Sequence, residues 1–224
     1  NTTFQTVHGL DAPGQFSTAR DMALLGKALI HDVPDEYAIH KKKNLLFNNI
    51  RQPNRNRLLW STNLHVDGMK TGTTAGAGYN LVASATQGDM RLISVVLGAK
   101  TDRIRFNESE KLLTWGFRFF ETVTPIKPDA TFVTQRVWFG DKREVNLGAG
   151  DAGSVTIRRG QLKKPEGQLY VERTTAHGAV EERAGLSGTI DFQLNGKSIE
   201  QRPLMVMENV VGGGIFSAGC GILC

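Results

Sequence analysis

Two apolar runs separated by three residues constrain this chain more than any other stretch. Tyr79–Thr86 and Met90–Gly98 flank Gln87-Gly88-Asp89. A glycine-containing turn between two such runs is the pattern of an antiparallel hairpin. A hairpin alone is marginal in water and needs a cover for its apolar face. Residues 106–121 can provide it, with Leu112, Leu113, Phe117 and Phe120 on one helical face and Glu108, Glu110, Lys111 and Arg118 elsewhere. A helix laid on a hairpin gives an α/β layer. Upstream, Val66–Thr73 reads as a short strand that reaches the hairpin through the Gly-rich turn Thr74–Gly78. Ser17-Thr18 introduces a helix over Ala19–Ile30 with an apolar face of Met22, Leu25, Ala28 and Leu29. Thr18 is placed to cap it, and Asp21 lies near its positive end. Residues 40–60 read as an extended, polar excursion.

The texture changes at Pro125 and Pro128. Beyond them come short β runs, Thr131–Phe139, Glu144–Leu147, Ser154–Ile157, Gly188–Leu194 and Leu204–Glu208, separated by Gly-Asp, Gly-Ala-Gly and Asn-Gly turns. This is the pattern of a small β-sandwich. The expected division is residues 1–123, an α/β part, then 124–210, an all-β part, then a tail over 211–224.

Composition excludes several classes. Apolar residues make up 40% of the 224 and charged residues 22%, ordinary for a globular protein. No apolar run reaches the roughly 18 residues of a membrane span. The chain opens at Asn1 without a charged-then-apolar leader and reads as a mature or truncated product. The net charge of +5 favours anionic partners without naming one. Lys41-Lys42-Lys43 reads as solvated surface. No aromatic interleaving or recognisable module accompanies it, so nucleic acid is not expected as a partner. The two cysteines, Cys220 and Cys224, form a lone C-x-x-x-C without the second pair a zinc site needs. Their scarcity elsewhere is compatible with an oxidising compartment.

Most chemical signatures are missing. The five histidines, at 8, 31, 40, 65 and 177, form no ligand set. Asn195-Gly196-Lys197-Ser198 has the end of a phosphate loop, but its required earlier glycine falls on Asp191. What remains is Lys70-Thr71-Gly72, followed by Thr73, on a strand. Lys-Thr-Gly on a strand is one signature of serine penicillin-interacting enzymes. The ammonium helps move protons beside a nucleophilic serine and favours an anionic substrate. The hydroxyl can bond a substrate carboxylate. Glycine lets a peptide lie against the strand edge, and the N–H after the motif can face a developing oxyanion.

Val7-His8-Gly9-Leu10-Asp11, Ser17–Leu29, Ile50–Trp60, Val66–Gly98 and Lys111–Thr124 resemble the low-molecular-mass penicillin-binding D-alanyl-D-alanine carboxypeptidases, over residues 1–162 and 188–210. The resemblance implies an α/β penicillin-recognising serine-transferase fold, incomplete at its N-terminus, followed by a small all-β sandwich. It implies a serine-type carboxypeptidase that removes the terminal D-alanine of peptidoglycan pentapeptides through an acyl-enzyme and is acylated by β-lactams. No cofactor or metal is implied. The location would be periplasmic, peripheral to the inner membrane. Lys70 would be catalytic, and Thr71, Gly72, Thr73, Arg105 and Arg55 would bind substrate. Arg105 would help hold the substrate carboxylate, and Arg55 would pack near Lys70 and tune its charge.

The chain departs from the family pattern in several places. It holds no S-x-x-K. The chain as it stands is therefore expected to be inactive alone, and a non-catalytic cell-wall-associated or interaction module is the alternative reading. Ser61-Thr62-Asn63 matches the family's S-x-N by letter but lies too close to Lys70 to be that motif. Thr73 stands where most members carry histidine or another polar residue. Lys163–Ser187 lacks strand alternation, and Gly212–Cys224 shows no cationic amphipathic face, so no membrane anchor is evident. With permitted codons, a one-nucleotide frame slip in each stretch can yield family-like sequence, so the hypothesis of a reading-frame slip is compatible with these departures. On that hypothesis 163–187 should show irregular, poorly packed backbone.

Overall fold

A computed structural model describes residues 1–127, 130–136, 142–148, 153–163, 169–175 and 188–207. The chain divides into two units, Asn1–Phe120 and Glu121–Cys224.

In the first unit, helix α1 (Ala19–Asp32) starts where Thr18 leaves helical geometry and its side chain accepts the Asp21 N–H at 3.1 Å. A hydrogen bond from the Thr2 hydroxyl, at 2.7 Å, and the N-terminal ammonium hold the Asp21 carboxyl below its ordinary range. The helix does not bury the expected face. Gly26 is its one fully buried residue, and Leu25 is 53% exposed. A Cβ on Gly26 would sit 3.0 Å from the Met69 methyl, so the helix approaches the sheet through its smallest residue. The covered stripe therefore runs through Met22, Ala23, Gly26, Leu29 and Ile30, which turns Leu25 outward.

After α2 (Pro34–Tyr37) the chain forms a ribbon of β1 (Asn44–Phe47) and β2 (Ile50–Pro53). Asn48 and Asn49 close it with φ of 49° and 60°, a left-handed pair that asparagine tolerates better than most residues. The excursion is thus extended, as expected, but not polar: Leu45, Leu46, Phe47 and Ile50 are all exposed. A 3-10 turn over Arg57–Trp60 then buries Leu58 and Leu59.

Strands β3 (His65–Thr74), β4 (Gly78–Gln87) and β5 (Met90–Ala99) form an antiparallel sheet in that order, with β3 and β5 as its edges. The Gly88-Asp89 turn closes the expected hairpin, pairing Gln87 with Met90. Alternation along β4 sends Leu81, Ala83 and Ala85 to one face, each 0% exposed. Helix α3 (Asp102–Phe119) covers that face, capped by the Thr101 hydroxyl on Ile104 N–H. The core joins Leu81, Ala83, Ala85 and Met90 to Phe106, Leu113 and Phe117. A Cβ on Gly116 would fall 2.5 Å from a Leu92 methyl, so this glycine sets how closely helix and sheet approach. Leu112, expected inside, is 48% exposed, because the buried stripe follows Phe106, Ser109, Leu113, Gly116 and Phe117. Phe120 leaves the helix and begins a strand.

Apart from a short 3-10 turn over Gln161–Lys163, the described residues of the second unit form strands and their connections. Its strands are β6 (Phe120–Val123), β7 (Thr131–Arg136), β8 (Glu144–Gly148), β9 (Val155–Arg158), β10 (Leu169–Thr175), β11 (Gly188–Leu194), β12 (Lys197–Pro203) and β13 (Met205–Val206). They form a β6-β9 ribbon and three-stranded sheets ordered β13-β8-β7 and β10-β11-β12. Ile126, Val155, Ile157, Ile190, Phe192, Leu194 and Leu204 make the core. Asn195-Gly196, the end of the failed phosphate loop, is a hairpin turn with φ of 54° and 75°.

Strand β10 corrects the expectation of irregular backbone over 163–187. Leu169–Thr175 pairs antiparallel with β11 from Leu169↔Leu194 to Thr175↔Gly188 without a register break. It is an edge strand. An edge tolerates charged residues such as Glu172 and Arg173 that blur alternation in the sequence. The remainder of that expectation, at 164–168 and 176–187, and the tail beyond 207 lie outside the described residues.

Candidate active site

The Lys-Thr-Gly run lies on β3, whose register places Lys70 opposite Val82, Thr71 opposite Leu81, Gly72 opposite Asn80 and Thr73 opposite Tyr79. Strand alternation separates the roles of the side chains. Met69 and Thr71 are buried, whereas Lys70 and Gly72 are exposed. The Lys70 ammonium donates to the Thr71 carbonyl. A Cβ on Gly72 would meet nothing within 4 Å, so the packing of this chain does not itself demand glycine there.

Arg105 reaches this strand from the first turns of α3. Its Nη1 donates to the Thr73 hydroxyl at 2.9 Å, the Gly72 carbonyl at 3.2 Å and the Asn80 carbonyl at 3.3 Å, while Nη2 pairs with Asp102. The guanidinium is 5.0 Å from the Phe106 ring centre and 5.4 Å from that of Tyr79. Arginine suits this post because its fixed fork serves several acceptors at once. Arg105 is 5% exposed, and its Nε is buried without a partner among the described residues. The structure thus joins Arg105 to Gly72 and Thr73 across a sequence gap of more than thirty residues. It does not do so for Arg55, which is exposed and makes no hydrogen bond or ion pair among the described residues. Ser61 forms a local turn, its hydroxyl accepting the N–H groups of Asn63 and Leu64 at 3.3 Å.

Several supporting residues escaped the sequence reading. Asn56, 1% exposed, donates from Nδ2 to the Gly68 carbonyl at 3.0 Å and accepts the Leu58 N–H at 3.2 Å. The Nδ1 of His40 lies 3.2 Å from the Met69 carbonyl. The Tyr37 hydroxyl donates to Asp67 at 2.8 Å, and Arg91 bridges Asp67 and the buried Ser84. Burial pushes the Tyr37 hydroxyl up to about 12. These groups brace β3 just before Lys70. At its other end, Asp11 accepts from the Thr74 hydroxyl at 2.5 Å and the Gly76 N–H at 3.0 Å. The hydrogen bond from Thr74 leads in holding its carboxyl below the ordinary range. Asp11 also lines an open pocket of about 770 Å³ together with Phe16, Gly72, Thr73 and Leu97. Apart from the local cap of Asn56 on Leu58, no local pattern announces such partners, since the bonds that reach β3 join residues well separated in sequence; for Asp11, only its place in the His8-Gly9-Leu10-Asp11 run singled it out.

A sheet edge carrying Lys-Thr-Gly, in a sheet covered by a helix and followed by a unit whose described residues are mainly β, defines the back half of a penicillin-recognising serine-transferase architecture. Sequence models agree in two segments. The family described as D-alanyl-D-alanine carboxypeptidase matches residues 1–101, and that described as penicillin-binding protein 5, C-terminal domain, matches residues 120–211. The chain belongs to the low-molecular-mass penicillin-binding D-alanyl-D-alanine carboxypeptidase family. It is 83% identical over 216 residues to D-alanyl-D-alanine carboxypeptidase DacC of Escherichia coli, covering 96% of this chain and 54% of the relative. It is 55% identical to DacA of the same organism, again over 96% of this chain, and 53% of that relative. Among solved structures it resembles penicillin-binding protein 5 from Haemophilus influenzae, with a TM-score of 0.70, 45% identity and coverage of 96% of this chain and 62% of that one. The chain spans about half the length of the curated relatives it matches.

Proposed function

We propose that this chain supplies one wall of the active site of a serine-type D-alanyl-D-alanine carboxypeptidase, acting on peptidoglycan peptides that end in D-Ala-D-Ala and acylated by β-lactams. The observation that carries the reading is the edge of β3, where Gly72 faces open space beside an arginine-held Thr73. A peptide laid along that edge meets no side chain at Gly72 and can add to the sheet. Lys70 supplies positive charge and a proton relay next to the acylating serine. Thr71 lines the strand, and the N–H of Thr73 faces the oxyanion. The Thr73 hydroxyl, polarised by Arg105, receives the substrate carboxylate. Arg55 acts at longer range through its charge. A periplasmic site at the membrane periphery fits this substrate. The domain roles follow: 1–123 for catalysis, 124–210 as the β domain, and 211–224 where relatives carry an anchor.

The 224 residues hold no S-x-x-K, so the acylating serine has to come from sequence beyond them. Labelled penicillin should form no covalent adduct with residues 1–224 alone. It should label a protein in which they follow the preceding half of the DacC relative, and Lys70→Ala there should slow acylation by orders of magnitude. Labelling of the 224 residues alone, or unchanged acylation in the Lys70 variant, would refute the reading.

A further inference from the structure

Strand β3 carries one residue that β4 does not pair. Val66 stands opposite Ala85 and Gly68 opposite Ser84, with Asp67 left between them. Side chains alternate along a strand, so one extra residue exchanges the faces of everything beyond it. Val66 and Ala85 both belong to the core beneath α3. Beyond the bulge, Lys70 stands opposite Val82 and is exposed. If β3 ran on from Val66 in unbroken register, Asp67 would take the place opposite Ser84. Lys70 would then stand opposite Leu81, which is 0% exposed in the same core. Holding Asp67 out of the ladder is therefore what turns the ammonium away from the face that α3 covers.

Three elements converge on that one residue. The Tyr37 hydroxyl, from α2, donates to one Asp67 carboxylate oxygen at 2.8 Å, and the Arg91 Nη1, from β5, donates to the same oxygen at 2.9 Å. The second carboxylate oxygen lies 2.8 Å from the same nitrogen. That nitrogen also donates at 2.6 Å to the hydroxyl of Ser84, the residue opposite Gly68. Arg91 thus reaches past β4 and fastens the bulge of β3 to the first pair that follows it. Its guanidinium lies 5.7 Å from the centre of the Tyr37 ring. Tyr37 is 6% exposed, and burial keeps its hydroxyl protonated as a donor. A Cβ on Gly68 would fall 2.6 Å from that hydroxyl, so glycine is needed for tyrosine to come so close. All these partners lie within the first unit.

We propose that Tyr37, Asp67 and Arg91 are positioning residues for acylation, which pin the bulge at Asp67 and so fix the face on which β3 presents Lys70. The catalytic consequence rests on the carboxypeptidase reading; the hold on the strand does not. Gly72 and Thr73 have their own anchor in Arg105. Loosening the bulge should therefore affect Lys70 more than the part of the edge that receives substrate.

The test has two arms. In the 224-residue chain, Asp67→Ala should speed hydrogen exchange of the β3 amides around the bulge by about ten-fold and leave the β4–β5 amides at their parent protection. Cross-strand nuclear Overhauser contacts between Lys70 and Val82 should weaken. In the protein joined to the preceding half of the DacC relative, labelled penicillin separates acylation from binding. Misplacing a reacting group by about 1 Å can cost about a hundred-fold. The acylation rate at saturating penicillin should fall by about ten-fold or more in Asp67→Ala and in Arg91→Met. The penicillin concentration giving half that rate should change little. Tyr37→Phe, which keeps the ring, should lose about three-fold. A merely structural role would instead yield fewer labelled molecules that react at the parent rate. That result, an unchanged acylation rate in Asp67→Ala, or exchange speeded alike in β3 and in β4–β5 would overturn the proposal. Failure of the joined parent itself to label would overturn the carboxypeptidase reading, and the exchange arm would still decide whether these residues pin the bulge.

Discussion

Replacing Asn56 tests whether the brace behind β3 sustains the first unit. The side chain is 1% exposed and serves two backbone groups, the Gly68 carbonyl and the Leu58 N–H. Asn56→Ala removes both partners at once. A buried polar group left unpaired costs about 1–3 kcal/mol, and partial relaxation around a small side chain offsets some of that. The expected loss is about 2–4 kcal/mol. Asn56→Asp separates the two bonds. Its carboxylate still accepts from Leu58 but presents a negative oxygen to the Gly68 carbonyl. Burial and that carbonyl both raise the folded-state pKa of the new carboxyl. The folded variant then keeps a proton that the unfolded chain has lost, so its stability relative to the parent falls as pH rises above the ordinary carboxylate range. Protonated, it donates to Gly68 and recovers most of the loss. Urea unfolding from pH 4 to 7 measures both effects. A Trp138→Phe background leaves Trp60 and Trp115, both in the first unit, as reporters. An alanine variant within about 0.5 kcal/mol of the parent, or an aspartate variant whose deficit shrinks as pH rises, would refute the bracing argument.

Arg105→Ala, in the protein joined to a nucleophile-bearing half, should cost about 1.5–3 kcal/mol in kcat/KM on a D-alanyl-D-alanine peptide, the scale of a hydrogen bond to a charged group; unchanged kinetics would remove Arg105 from the site. The depressed Asp11 carboxyl ties the start of the chain to Thr74 and Gly76. That tie is present above the ordinary carboxylate range and is lost as pH falls through the lowered folded value. Hydrogen exchange at the Gly76 amide should therefore lose protection on acidification, and Asp11→Asn should weaken that dependence.

Local pattern carried part of the architecture. The Gln87-Gly88-Asp89 turn, the alternation of Leu81, Ala83 and Ala85, the Thr18 cap and the texture change after Pro125 are short-range signals. Turn geometry, a two-residue period and a side-chain bond three residues away are all written within a few positions. The resemblance likewise rested on contiguous runs around Lys70-Thr71-Gly72. Where the sequence misled, the deciding partner was remote. Leu25 and Leu112 fit an apolar face by helical spacing, but the sheet is met through Gly26 and Gly116, whose small size sets the contact. The strand Leu169–Thr175 shows weak alternation and is held by its pairing with Gly188–Leu194.

The sequence by itself determined that an Lys-Thr-Gly strand lies beside a helix-covered hairpin and that a β-rich unit follows. Those features depend on local backbone preference and side-chain period. Only the tertiary structure decided that Arg105 grips Gly72 and Thr73, that Asn56, His40 and Tyr37 brace the strand, and that Asp11 closes its far end. Each of these is a hydrogen bond whose partners have no fixed spacing in the chain. Only folding brings them within 3 Å or so of one another.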